Sequence, residues 1–168
     1  YHLARADRSV LVLEQFNLGH TRGSSHGESR IIRPSYDHPA YVQLAQAAYG
    51  LWAELELDAG EVLLQRTGGL DLSLPFNPVF EACIASLSAL RIRREILTAD
   101  EVQRRFPVLR VADGTIGLYQ ADAGVLPASR CVRVMIDRAI QYGAAVIEQT
   151  PVRSIRLDDD GAEVRTDQ

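Results

Sequence analysis

The sequence predicts an α/β fold in which a lobe of strands and short helices interrupts a unit of alternating strands and helices. Near the start, helix-like residues lead into the apolar run at residues 10–13, and near the end a helix leads into the apolar run at 145–147. Alternation of this kind indicates a parallel sheet with helices packed against it. Residues 66–126 lack that order, so we expect one lobe over 1–65 and 127–168 and a second, inserted lobe over 66–126.

The longest predicted helix covers residues 39–58. Asp37 or His38 is expected to cap it, and Pro39 suits its first turn. Apolar side chains recur at helical spacing, which predicts that one face of the helix packs against the rest of the protein. The predicted face consists of Tyr41, Leu44, Ala45, Ala48, Leu51, Trp52 and Leu55.

Three shorter helices and four strands complete the predicted elements. The helices are expected over 78–90, 98–105 and 127–143, and the strands over 63–74, 115–120, 152–157 and 162–165. Thr98 and Glu101 have the spacing of a capping box, and Gly143 stands where a left-handed residue ends a helix. Asp160 and Gly161 predict a hairpin turn between the last two strands.

The composition excludes several classes of function. The formal net charge of -4 does not favour binding to nucleic acid or to an anionic membrane. No apolar run approaches the roughly 18 residues that are needed to span a bilayer. Cys83 and Cys131 lack metal-ligand spacing, so they are expected to be core thiols.

Glu14 follows the first apolar run and is a candidate nucleotide-binding residue. An acid that ends the second strand of a nucleotide-binding β-α-β unit accepts hydrogen bonds from ribose hydroxyls. The glycine-rich turn of such a motif lies about 20 residues upstream, which places it before Tyr1. The local sequence leaves open the alternative that Glu14 is a solvated acid at a strand end.

The loop at residues 22–33 is rich in small and polar residues. Small residues allow a ligand to approach the backbone closely, and serine hydroxyls with exposed amides suit phosphate or flavin oxygens. Arg30 and Arg33 are three residues apart, so on a helical turn they would project to the same side and attract an anion such as a carboxylate. The alternative is a polar surface loop with two solvated arginines.

The loop also resembles a known family. Ser-Ser-His-Gly-Glu-Ser-Arg-Ile-Ile-Arg at 24–33 resembles the monomeric sarcosine oxidase and N-methyltryptophan oxidase group, which includes sarcosine/pipecolate oxidases. The likeness continues, in the same order, with Leu-Trp-Ala-Glu-Leu at 51–55, Thr-Gly-Gly-Leu at 67–70 and Gly-Val-Leu at 124–126. The resemblance implies part of a Rossmann-like FAD-binding domain with an inserted α+β substrate domain. It also implies oxidation of N-methyl or other secondary amino acids to an imine, with formation of hydrogen peroxide.

The resemblance implies which residues bind FAD. Glu14 would bind the ribose of the adenosine, and Val152 would meet the adenine through its backbone. The hydroxyls of Ser24, Ser25 and Ser29 would line the flavin or its phosphate arm.

The resemblance also implies three catalytic residues. His26 and Arg30 would lie against the isoalloxazine ring, so that Arg30 counts as a cofactor-binding residue as well. Arg33 would pair with the carboxylate of the substrate. The implied partners are a small amino acid and dioxygen, with no nucleic acid and no membrane. The implied full-length protein is a monomer, cytoplasmic or, in a eukaryote, peroxisomal.

Parts of the family pattern lie outside this sequence. These are the glycine-rich turn, the cysteine that links covalently to FAD and a lysine near the flavin; neither Cys83 nor Cys131 matches the linking cysteine. We therefore interpret both ends as truncations and expect the isolated chain to be inactive. An NAD-dependent dehydrogenase on a similar fold and a non-catalytic fragment remain as alternatives, and the serine- and histidine-containing loop argues against the dehydrogenase.

Overall fold

A computed structural model describes residues 1–159 and 161–167, and these form two compact units. Unit 1 combines Tyr1–Glu28 with the segment that begins at Pro127, and unit 2 is Ser29–Leu126. Residues 29–65, which the sequence assigns to the first lobe, are therefore grouped with residues 66–126. The assignment of a cofactor-binding lobe and a substrate lobe remains a prediction. The predicted turn residue Asp160 lies outside the described residues.

Helices and strands alternate in an α/β arrangement, as the sequence predicts. The helices of the described residues are α1 (His2–Arg5), α2 (Pro39–Ala59), α3 (Pro78–Ala89), α4 (Ala99–Arg105) and α5 (Ala128–Gln141). The strands are β1 (Leu11–Leu13), β2 (Arg30–Ile32), β3 (Gly69–Ser73), β4 (Glu95–Leu97), β5 (Ile116–Gln120), β6 (Gly124–Leu126), β7 (Ala145–Ile147), β8 (Ser154–Asp158) and β9 (Gly161–Arg165).

Unit 1 contains a parallel strand pair. β1 lies parallel to β7, with Leu11 opposite Ala145 and Leu13 opposite Ile147, and the helix α5 precedes β7 in the chain. α1 contacts α5, and a small core of buried alanines forms beside them. β8 and β9 form a separate antiparallel pair. The strands predicted at 10–13 and 145–147 and the helix predicted over 127–143 are thus confirmed.

Unit 2 is built from two antiparallel sheets and three helices. β5 lies between β3 and β4 in one sheet, and β2 pairs with β6 in the other. α2 packs against α3, and the core beneath them consists of Val42, Phe80, Leu87 and Leu118. This core joins the helices to the central strand β5, so it fixes the sheet on which Asp71 and Gln120 lie.

Local capping signals of the sequence are confirmed. The Thr98 hydroxyl accepts a hydrogen bond from Glu101 N, while the Glu101 carboxylate accepts one from Thr98 N at 2.7 Å. His38, and not Asp37, caps α2, because its Nδ1 accepts a hydrogen bond from Ala40 N at 3.2 Å. Gly143 has a φ of 88°, the left-handed conformation expected after α5.

The prediction of one buried apolar face on α2 is right in part. Of the predicted residues, Leu55 is buried and Ala45, Ala48 and Trp52 are half-buried. Tyr41, Leu44 and Leu51 are instead 56%, 65% and 44% exposed. The reason is that apolar residues surround α2 instead of forming a single stripe, so periodicity indicated the covered side but included residues outside it.

Two strand predictions also need correction, and three strands were not predicted. β3 begins at Gly69, whereas the sequence predicts a strand from residue 63, and Gln65 forms only a single bridge with Val125. The strand predicted over 152–157 begins at Ser154 instead of Val152. β2, β4 and β6 have three residues each, which is too short for alternation to be recognised.

The cysteine prediction holds for one of the two thiols. Both cysteines are free; Cys131 is buried and Cys83 is half-buried. Burial, with the nearby Asp37 and Asp71 charges, raises the pKa of the Cys83 thiol. Cys83 is therefore a weak nucleophile at neutral pH.

Tyr49 on α2 carries a buried hydroxyl that has no hydrogen-bond partner within residues 1–159 and 161–167. Burial raises the pKa of Tyr49 to about 12 from 10.0. The unfolded chain releases this proton near pH 10 and the folded chain does not, so this group lowers stability as pH rises from about 10 to about 12. We expect Tyr49→Phe to stabilise the protein by about 1 kcal/mol at neutral pH, because the uncompensated hydroxyl is removed and the ring stays under Arg66.

The advantage of Tyr49→Phe is expected to grow between pH 7.5 and pH 10.5, measured by urea unfolding. Tyr41→Phe on the same helix is the matched control, because Tyr41 is exposed. Its substitution should change neither the free energy of unfolding at neutral pH nor the dependence of that free energy on pH. The prediction would be contradicted if the free energy of unfolding depended on pH equally in Tyr49→Phe and in the unsubstituted protein.

Candidate functional site

Glu14 lies at the carboxyl end of β1, at the edge of the parallel strand pair. Its backbone continues the pairing beyond the strands, since Glu14 N donates to Ile147 O at 2.9 Å and Thr150 N donates to Glu14 O at 2.8 Å. Its carboxylate accepts a hydrogen bond from Phe16 N at 2.8 Å and lies 3.5 Å from His20 Nε2. The side chain is 26% exposed, so a carboxylate with fixed orientation faces an accessible space.

A cavity of about 360 Å³ opens beside Glu14 within unit 1. The loop contributes Ser24, Ser25 and His26 to its lining, and Gly19 and Gly23 leave the backbone accessible there. The structure therefore brings four of the sequence-predicted residues to a single cavity. The His26 ring is oriented by a contact between its Nδ1 and Gly23 O.

The first turn of α5 lines the same cavity, and the sequence analysis missed its contribution. Ser129 Oγ accepts a hydrogen bond from Gly27 N at 3.1 Å and donates to Gly27 O at 3.0 Å, which holds the loop against the helix. Arg133 adds a positive charge to the lining and is ion-paired with Asp137 at 3.2 Å. A helix that begins beside a cavity, with an arginine in its second turn, is suited to bind an anion. Pro127 predicts this helix start, but only folding shows that it meets the loop.

Val152 lines a second concavity of unit 1, together with Glu14 and Thr150. Val152 is 42% exposed and precedes β8. Its role as the residue that meets adenine through its backbone remains a prediction. The position beside Glu14 is compatible with a ligand that extends from one concavity to the other.

Ser29, Arg30 and Arg33 belong to unit 2, and the predicted helical turn at the two arginines is wrong. Arg30 begins β2 and pairs with Leu126 of β6. Its Nη1 donates to Ser29 O at 2.7 Å. Because the segment is a strand, a spacing of three residues does not place the two guanidinium groups on the same side.

Arg33 forms an ion pair with Asp71, which the sequence analysis did not single out. Arg33 Nη1 donates to Asp71 Oδ1, and the Arg33 guanidinium lies 5.9 Å from the ring centroid of Tyr36. Asp71 Oδ2 accepts a hydrogen bond from the buried hydroxyl of Ser35 at 2.5 Å. The Arg33 side chain is 41% exposed, so it remains accessible to an anion. Asp71 lies 38 residues from Arg33, too far along the chain for any spacing to signal the pair.

The described residues contain no group of three or more His, Cys, Asp or Glu side chains that could hold a metal ion. Across the same part of the chain, no helix is sufficiently long and apolar to cross a membrane.

Comparison with known proteins gives a match over the whole chain. A family model described as FAD dependent oxidoreductase matches residues 1–168. Human peroxisomal sarcosine oxidase is 40% identical over 146 residues, which cover 87% of this chain and 37% of that protein. Monomeric sarcosine oxidase from Streptomyces avermitilis is 34% identical over 167 residues, which cover 99% of this chain and 44% of that protein. The chain thus spans about two fifths of the length of these relatives.

Solved structures with the same fold include two amino acid-converting enzymes. The open form of NikD, an amino acid oxidase of nikkomycin biosynthesis, superposes with a TM-score of 0.83 at 25% identity, over 98% of this chain and 43% of that one. L-proline dehydrogenase from P. horikoshii has a TM-score of 0.83 at 21% identity, over 99% of this chain and 44% of that one. The second likeness establishes the fold alone.

Proposed function

The chain belongs to the family of FAD-dependent oxidoreductases, and on that premise we propose that the protein oxidises an N-methyl or other secondary amino acid. The products are an imine and hydrogen peroxide. The observation that carries the proposal is the cavity of unit 1, where the Glu14 carboxylate faces a lining of small and hydroxyl-bearing residues. The 40% identity with a peroxisomal sarcosine oxidase supports the choice of substrate class.

The residues of unit 1 fit a part of FAD. The Glu14 carboxylate is an acceptor for ribose hydroxyls, and the first turn of α5 with Arg133 offers positive potential to a phosphate. The cavity of about 360 Å³ takes a portion of the molecule, with small side chains that let it approach the backbone. Ser24 and Ser25 would donate hydrogen bonds to its oxygens.

Bound FAD would supply the acceptor for a hydride equivalent from the carbon beside the substrate nitrogen, and would pass the electrons on to dioxygen. The protein's own residues bind and orient. Arg30 supplies positive charge where negative charge develops, and Ser29 lies next to it. His26, whose Nδ1 contacts Gly23 O, would lie against the flavin ring. Arg33 pairs with the substrate carboxylate, which fixes the reacting carbon.

Three further properties of the full-length protein belong to the same proposal. The partners are a small amino acid and dioxygen. The full-length protein is a monomer, as the name of its Streptomyces avermitilis relative says of that enzyme. The full-length protein is located in the cytoplasm or, in a eukaryotic cell, in the peroxisome. The names of the human and mouse relatives support the peroxisomal location.

The proposed function is tested with the full-length protein. It is expected to bind FAD and to form peroxide from sarcosine without added NAD. Glu14→Gln should raise the dissociation constant of FAD by roughly tenfold, because an amide accepts ribose hydrogen bonds more weakly than a carboxylate. Asp7→Asn, an exposed acid of the same unit, is the control and should leave FAD binding unchanged. Equilibrium dialysis measures both.

Two results would count against the proposal. Reduction of NAD by the same substrates, with no bound flavin, would point to a dehydrogenase. Equal FAD affinities for Glu14→Gln and Asp7→Asn would remove Glu14 from the cofactor site.

A further inference from the structure

Unit 2 contains a cavity of about 210 Å³ whose lining includes Arg33, Asp71 and Gln120. In the antiparallel pair of β3 and β5, Gly69 lies opposite Gln120 and Asp71 lies opposite Leu118. Asp71 and Gln120 therefore project from the same face of the sheet. Gly69 also lines this cavity, and a Cβ there would lie 2.6 Å from Ala123 Cβ, so a larger side chain does not fit at this position.

The Gln120 side chain indicates that the cavity takes a ligand. Gln120 is 2% exposed, and its Nε2 has no hydrogen-bond partner in the part of the chain that the structure describes. Buried polar groups are nearly always hydrogen-bonded, because an unpaired donor costs stability. An unpaired amide donor at the wall of a cavity is therefore suited to an acceptor oxygen of a bound molecule.

Asp71 is held as a fixed negative charge in the same cavity. One carboxylate oxygen receives the hydrogen bond from Arg33 Nη1, and the other receives the hydrogen bond from Ser35, which is 1% exposed. The two bonds fix the orientation of the carboxylate. The positive charge of Arg33 is thus already compensated by a residue of the protein itself.

We propose that Asp71, as the resident counterion of Arg33, sets the affinity of this cavity for the substrate carboxylate. The identity of the substrate in this inference rests on the proposed function. An entering carboxylate meets two donors, Arg33 and the Gln120 amide, and also meets the like charge of Asp71. Like charges repel strongly in a partly desolvated cavity. Asp71 therefore weakens the binding of anionic molecules and leaves that of uncharged ones unaffected.

The test measures the binding of propionate to the full-length protein, by NMR titration of the ligand's methyl resonance. Asp71→Asn removes the charge with little change in shape, and we expect it to lower the dissociation constant of propionate by about tenfold. Asp71→Glu keeps the charge and should bring no gain. Glu95→Gln, which removes a carboxylate from the Arg105 pair of the same unit, is the matched control and should leave the value unchanged. n-Propanol should bind equally to all four proteins.

Gln120→Met provides a second, independent measurement. It removes the donor and nearly preserves the volume, so we expect about tenfold weaker binding of propionate and unchanged binding of n-propanol. If thermal unfolding shows that Asp71→Asn does not fold, the Gln120→Met variant still tests the proposed subsite. Propionate affinity that is unchanged or weaker in folded Asp71→Asn, or unchanged in Gln120→Met, overturns the proposal.

The readout separates this inference from the proposed function, because propionate binding requires no turnover. If Asp71→Asn binds propionate more tightly while the protein oxidises no amine, the carboxylate subsite stands and the oxidase function is lost. If sarcosine is oxidised but the dissociation constant of propionate does not depend on the charge of Asp71, the oxidase function is supported and the inference about the subsite is wrong.

Discussion

Arg33→Met in the full-length protein is expected to raise the Michaelis constant for an N-methyl amino acid by about ten- to hundredfold, with FAD still bound. Arg33 is the accessible guanidinium of the unit 2 cavity, and a charged hydrogen bond of this kind contributes roughly 1.5–3 kcal/mol. Methionine loses both the charge and the forked pair of donors, whereas Arg33→Lys loses only the fork. We therefore expect lysine to give an intermediate Michaelis constant. Steady-state kinetics with peroxide as the readout measures all three proteins.

An N-methyl alkylamine without a carboxylate is the control substrate, and Arg33→Met should hardly affect its oxidation. The pair with Asp71 calls for one more control, since Arg33→Met leaves that half-buried carboxylate without its partner. The double variant with Asp71→Asn removes this uncompensated charge. If the Michaelis constant for the N-methyl amino acid is also raised in the double variant, the increase is due to the missing contact with the substrate. Equal losses for the two substrates would mean that Arg33 acts on the flavin or on the fold.

Gly124→Ala is expected to destabilise the protein by about 3 kcal/mol or more, a large effect for a single methyl group. Gly124 lies in β6 opposite Ile32 of β2, where the backbone of Gln65 also approaches. A Cβ at this position would lie 2.2 Å from Gln65 O and 3.1 Å from Arg66 Cα. Both atoms belong to the backbone, so the collision is relieved only by moving a strand.

Gly50→Ala is the matched control for the same substitution. Gly50 is exposed at a mid-helix position of α2, and no atom outside the adjoining helix backbone lies within 4 Å of the position of its Cβ. Alanine is the better helix former, so we expect this variant to be more stable by about 0.5–1 kcal/mol. Urea unfolding of the two variants compares them directly. A similar stability for Gly124→Ala and Gly50→Ala would show that β6 and the Gln65 backbone are not packed closely.

The loop residues that the sequence singles out lie together in the structure. Residues 24–26, together with Glu14, line one cavity of unit 1, and the sequence had singled them out by composition and by resemblance. The partners across the cavity were missed. Ser129 contacts Gly27 across 102 residues, and no pattern in the sequence relates two positions so far apart.

The two arginines show where a spacing argument fails. Three residues between Arg30 and Arg33 place them on one side of a helix, but the segment pairs with β6 as a strand. A strand of three residues has no periodicity of its own to reveal it. Its conformation is decided by the hydrogen bonds that a distant segment offers.

By itself, the sequence determined the strands β1 and β7, the long helices and the capping box of Thr98 and Glu101. These follow from apolar periodicity and from hydrogen bonds between residues that are near one another in the chain. Only the tertiary structure decided which apolar residues of α2 stay exposed, that β2 pairs with β6, and that Asp71 neutralises Arg33. Such features depend on which segments meet when the chain folds. The energy of those long-range contacts cannot be inferred from residues that are neighbours in the sequence.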